Sequence, residues 1–175
     1  MKFQIAGAIL VAIVILVGFS AASDSGYTTI EGNIQDVFSL TVDPARLQLN
    51  LIPGSTLYVD GNLIVTANGP WKVTAKSDHP QGKMSQYNSV DGYFRFHPWQ
   101  YKELYNSLAV SSPPNQICIQ LTDQDQTLIP TNNDYGNNMV EHIQYIQTTN
   151  TEYDKRIGPS DVYRIVVTFT GSMTY

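Results

Sequence analysis

The sequence predicts an all-β fold: a single antiparallel β-sandwich of about eight to ten strands with one short helix, preceded by an N-terminal hydrophobic signal helix. Three observations predict it. Apolar and polar residues alternate at period two in several short runs, "LQLNL" and "PWKVTAK" being the cleanest. Turn-forming residues such as Asp-Pro, Asp-Gly and Asn-Gly separate those runs. One uninterrupted apolar stretch, Ile5 to Val17, stands behind Lys2 at the start of the chain.

That stretch runs into Ser20-Ala21-Ala22-Ser23, with small residues where a signal peptidase reads them. The expectation is a signal peptide over residues 1–22 and a sandwich domain over 23–175. An uncleaved anchor is the alternative, because Phe3 to Ala22 is just long enough to cross a bilayer; a buried core helix is the third. In the first two readings the domain is exported, and the membrane is a partner only if the segment stays uncleaved. No Gly-terminated basic leader of the pilin type precedes the apolar run.

From Ser23 onward the elements follow in order. "YTTIEGNI" and "VFSLTV" are loosely alternating, and "DPAR" (Asp43 to Arg46) is a turn. In "LQLNL", Leu47, Leu49 and Leu51 share one face. "TLYVDGNLIVTANGPWKVTAK" reads as hairpins turning at Asp60-Gly61 and Asn68-Gly69, pairs that enter positive φ cheaply. Trp71, Val73 and Ala75 then form an apolar strand face, with Trp71 as a core residue. Ser77 to Gly92 is a long polar connection. "QICIQL" is a strand with Cys118 opposite Ile117, Ile119 and Leu121, Thr131 to Asn138 is a loop, and "VEHIQYIQT" resumes the alternation. "VYRIVVTFT" closes the chain as one strand, with Tyr163, Ile165, Val167 and Phe169 on one face.

The helix is expected in "HPWQYKELYNSL", with Pro98 in its first turn. It lies within "GYFRFHPWQYKELY", which carries two Phe, three Tyr and one Trp. Such a cluster fits three roles: a cap on the core, a docking face for another subunit, or a sugar-binding platform built on Tyr93, Trp99, Tyr101 and Tyr105.

Composition excludes some functions. The chain has 10 Lys+Arg against 15 Asp+Glu and a formal net charge of −5, one unit more negative without Lys2. Phosphate contacts need clustered cations, and Lys155-Arg156 is the only basic pair, so nucleic acid is not a partner. The single cysteine, Cys118, cannot form a disulfide within the chain; it is a small hydrophobe or an intermolecular bridge. His79, His97 and His142 have no metal-ligand spacing. No nucleophile motif is present. Asp123 and Asp125 sit two apart, and Asn132, Asp134 and Glu141 lie around Gly136 in a spacing one residue short of an EF-hand loop. A solvated loop is the better reading there, so neither a metal nor a cofactor is expected.

Two stretches, "TLYVDGNLIVTANGPWKVTAKSD" and the closing "VYRIVVTFTGS", resemble secreted prokaryotic surface β-sandwiches: the WxL-type cell-surface domains and subunits of archaeal and bacterial sheaths or extracellular fibres. Trp71 is followed by Lys72-Val73, where the WxL pattern has Leu in third place. Attachment to peptidoglycan is therefore not carried over. The resemblance implies a non-enzymatic role in the cell envelope. The expected function is a structural subunit of an extracellular filament, sheath or surface layer, built by edge-strand pairing between copies. Its possible donor strand runs through Thr28, Ile30, Ile34, Phe38 and Leu40. The alternative is a secreted module that binds envelope polysaccharide through the aromatic cluster.

Overall fold

A computed structural model describes residues 32, 34–94 and 102–174. The chain divides into two compact units at residues 34 and 35, and every strand belongs to the second. Residues 1–22, Thr28, Ile30, Trp99 and Tyr101 lie outside the described residues. Among the described residues there are eleven strands and no helix.

The strands are β1 (Phe38–Asp43), β2 (Thr56–Ala67), β3 (Trp71–Ser77), β4 (Ser85–Asn88), β5 (Tyr93–Phe94), β6 (Ala109–Ser112), β7 (Ile117–Gln120), β8 (Gln126–Asn132), β9 (Gly136–Thr148), β10 (Asp161–Arg164) and β11 (Val167–Met173). They form three antiparallel sheets. The largest runs β1-β2-β9-β6-β7, and two three-stranded sheets run β11-β3-β8 and β10-β4-β5. All-β architecture is thus as predicted. The five-stranded sheet and β11-β3-β8 face each other as a sandwich, because their inward residues make one core. Leu63, Val65 and Ala67 of β2, Trp71, Val73 and Ala75 of β3, Val110 of β6, Leu128 and Ile129 of β8, and Ile143 and Tyr145 of β9 are buried together.

Alternation decides which residues face that core. Trp71, Val73 and Ala75 are fully buried, as the pattern predicts, and Trp71 Nε1 donates to the Asp134 carbonyl at 2.9 Å. Asp60-Gly61, however, is no hairpin turn. It lies in the middle of β2, paired with Gln144 and Ile143 of β9. Glycine is needed there for a different reason: a Cβ on Gly61 would come within 2.9 Å of the Tyr145 ring. Asn68-Gly69 does turn the chain, but from one sheet to the other. The Asn68 side chain fastens the approach to β1, accepting from Val37 N–H and donating to the Gln35 carbonyl, each at 2.8 Å.

Three further expectations are corrected. Ser85–Asn88, expected as part of a polar connection, is β4, and it is buried although almost wholly polar. "VYRIVVTFT" is two strands in two sheets. The break falls at Val166, whose N–H donates to Asp78 Oδ1 at 2.9 Å while its carbonyl accepts from Asp78 N–H at 3.0 Å. The alternation of half-buried and exposed residues continues through the break, so the faces are as predicted while the partners change. Lys102 to Leu108, the described part of the expected helix, forms no helical turn; Glu103 is a bridge residue and the chain bends at Tyr105-Asn106. Leu104 N–H donates to the Met84 carbonyl, Gln86 N–H donates to the Lys102 carbonyl, and Glu103 bridges Ser85. Those bonds run between segments and leave none for a helical turn. "LQLNL" keeps its half-buried leucines but joins no ladder.

Candidate interaction surface

The outward face of the five-stranded sheet carries polar pairs across β2 and β9, interspersed with the apolar pairs Tyr58–Ile146 and Ile64–Val140, of which Tyr58 and Val140 are exposed. Thr56 and Thr148 hydroxyls meet at 2.9 Å, Gln144 Nε2 donates to Asp60 Oδ1 at 3.0 Å, and His142 Nδ1 donates to Asn62 Oδ1 at 2.8 Å. These groups satisfy one another, which lowers their gain from any outside partner.

The edges of the sheet differ. β7 ends one side with Ile117, Cys118, Ile119 and Gln120, and carries neither charge nor proline. Cys118 is exposed and unbridged, facing away from Ile117 and Ile119 as the alternation predicts. β1 ends the other side as "FSLTVD", uncharged until Asp43. Phe38 and Leu40 of the expected donor strand therefore sit in β1, paired with Ala67 and Val65 of β2 in the same chain. Ile34 is exposed. β1 also touches the facing sheet, at Gly171 of β11. A Cβ there would overlap the Phe38 ring and come 3.4 Å from Leu40 Cδ2. The glycine makes a recess, and Phe38 fills it.

Of the aromatic residues singled out from the sequence, Tyr93 and Tyr105 are described and both are exposed. They are not neighbours by contact. Tyr93 is in β5, next to Phe94, whose ring meets Tyr87 edge-on at 5.1 Å; Arg164 caps the Tyr87 ring at 4.4 Å. Tyr105 instead stacks on Tyr153, with centroids 4.8 Å apart and planes 17° apart, and Lys83 Nζ lies 5.9 Å over its ring. Asp154 fixes the pair. Its buried carboxylate accepts from Tyr105 N–H at 2.7 Å and from Asn150 N–H at 2.6 Å, so one side chain ties both segments together. Tyr153 was invisible from sequence because 48 positions separate it from Tyr105. The one available signal was the "NTEYD" turn, where Asn150 Oδ1 accepts from Glu152 and Tyr153 N–H.

Asn132, Asp134 and Glu141 do come together. Asn132 donates to Glu141 Oε1 at 3.1 Å and accepts from Asp134 N–H at 2.8 Å. Burial, and then the nearby Asp134 charge, raise the Glu141 carboxyl above its ordinary value, with His142 offsetting part of the rise. Among the described residues no group of three or more His, Cys, Asp or Glu could hold a metal ion. His79 Nδ1 accepts from Gln81 N–H at 3.3 Å, which leaves Nε2 to donate to Glu103 Oε1 at 2.8 Å. An open hollow of about 410 Å³ lies beside Val37, Ala67, Asn68 and Tyr135, too shallow to enclose a small molecule.

Compared with protein-family models, with characterised proteins and with solved structures, the chain finds no match.

Proposed function

We propose that this chain is a structural subunit of an extracellular assembly, a filament, sheath or surface layer, in which copies join through strand edges. The apolar stretch behind Lys2, the acidic balance and the lack of a nucleophile motif support an exported, non-enzymatic role. One observation carries the reading: among the described residues, β1 and β7 are the edges of the five-stranded sheet, and apart from Asp43 at the end of β1 neither strand holds a charge or a proline. Edge strands of proteins that stay apart are usually blunted by charge, proline or bulges, since bare main-chain donors and acceptors recruit another strand. Joining β1 of one copy to β7 of the next is a head-to-tail contact, which builds open chains where its rotation does not close a ring. Light scattering with negative-stain electron microscopy on the exported protein at rising concentration tests this. Ordered fibres or sheets are expected, and they should be lost in Cys118→Lys, which puts a charge on β7. A monomer at every concentration would overturn the reading.

A second reading, an exported polysaccharide-binding module, is favoured by the stacked Tyr105–Tyr153 pair, since rings held in place present a stacking face without an ordering cost. Its test is retention on immobilised polysaccharide, with Tyr153→Ala expected to abolish it and Tyr93→Ala to leave it intact.

A further inference from the structure

We infer that β1 is an exchangeable strand, and that the slot it fills between β2 and Gly171 accepts the β1 of a second copy; this rests on the assembly reading above. The slot is specific for one occupant because the structure shows that occupant's shape. Phe38 sits over Gly171, Leu40 lies beside it, and residues Phe38 to Asp43 pair in register with Ala67 to Asn62. A second copy brings an identical strand, so the same contacts form between chains at no loss of fit.

Three features make β1 separable. Among the described residues it pairs with β2 alone, so leaving breaks one ladder. Phe38, Leu40 and Val42 are half-buried and lie against the core, whose fully buried members all come from other segments. The buried residues of β3, β8 and β9 thus keep one another when β1 departs. The link that follows, Pro44-Ala45-Arg46, is exposed and bent. Fully extended, these three residues span at most about 10 Å, roughly twice the spacing between neighbouring strands. Departure uncovers Leu63, Val65 and the Gly171 recess, and apolar surface so exposed is re-covered most favourably by the strand that matches it.

The test uses two full-length variants, both with Cys118→Ser, one carrying Thr41→Cys and the other Ile64→Cys. These residues face each other across β1 and β2, and antiparallel partners have Cα atoms about 4.5–5.5 Å apart, within disulfide reach. Co-expressed and oxidised, the two variants should yield disulfide-linked pairs containing one chain of each kind. Assembly without such pairs, while a Thr41→Cys/Ile64→Cys double variant closes its bond within one chain, would overturn exchange and leave edge-to-edge joining standing. No assembly together with that internal bond would overturn both. Gly171→Val supplies the second arm: it should prevent the variant from accepting β1 while its own β1 still enters an unaltered copy. Cross-linking indifferent to Gly171→Val would also count against the slot.

Discussion

β3 and β1 read almost alike as sequence, yet one is the centre of the molecule and the other its margin. Trp71, Val73 and Ala75 alternate with polar residues, and so do Phe38, Leu40 and Val42. β3 has β11 and β8 on its two sides and a whole sheet across from it, so its three apolar residues are fully buried. Among the described residues β1 has one ladder neighbour, and its apolar residues stay half-covered. The apolar pattern chooses the face of a strand, but position in the sheet decides how much that face is worth.

Trp71→Ala should give the largest effect. Emptying the core costs about 3–5 kcal/mol and also strands the Asp134 carbonyl, so urea unfolding should show a large loss or an unfolded chain. Phe38→Ala should cost roughly 1–2 kcal/mol, since its ring is only partly withdrawn from water. Equal losses would erase the contrast between centre and margin. High pH should attack the centre through Tyr145 and leave β1 untouched, with Tyr163 of β10 adding to the fall, since burial and then the Asp154 charge also raise its hydroxyl. Burial pushes the Tyr145 hydroxyl from 10.0 up to about 12, so the unfolded chain loses this proton first. The stability is whole below pH 10, drains as pH rises toward 12, and amounts to at most about 2 kcal/mol. Thermal melts should show the fall, and Tyr145→Phe should lessen it. Gly171→Ala should act on the margin alone. Amide hydrogen exchange should quicken in β1 while β3 and β8 keep their protection. The smallest change is expected at Glu141, whose carboxylate is disfavoured by burial beside Asp134. Glu141→Gln should raise the melting temperature slightly at neutral pH. Because a raised folded value favours the protonated form, the gain should vanish once pH falls below the ordinary value of 4.5.

The same contrast explains what could be read in advance. The faces of β3, β7, β10 and β11 were legible, because period-two alternation is a local property. Sheet membership was not. Asp60-Gly61 has the letters of a turn, yet its glycine answers to Tyr145 of β9, far along the chain. The final strand divides at Val166 because Asp78 pairs with its backbone, and no spacing within "VYRIVVTFT" announces that. β4 escaped because Ser85, Gln86 and Asn88 are buried polar residues, held by bonds such as Gln86 Nε2 to Asp161 Oδ2 and Asn88 Nδ2 to Asp91 Oδ2 rather than marked by apolarity. For the interaction surface, Tyr93 and Tyr105 are exposed, but the partner of Tyr105 was hidden because Asp154 joins segments remote in sequence.

The β1–β2 ladder has a mechanical consequence. Six consecutive residue pairs, Phe38–Ala67 through Asp43–Asn62, run antiparallel, and a pull along β1 acts parallel to the strands. Under that load the cross-strand bonds are sheared together and share the force, whereas a pull at right angles would open them one after another. The Phe38 ring seated against Gly171 adds a catch, since sliding by a single residue would drive it into side chains where the glycine had left room. A joint made this way resists tension along its length and yields most readily when its end is lifted.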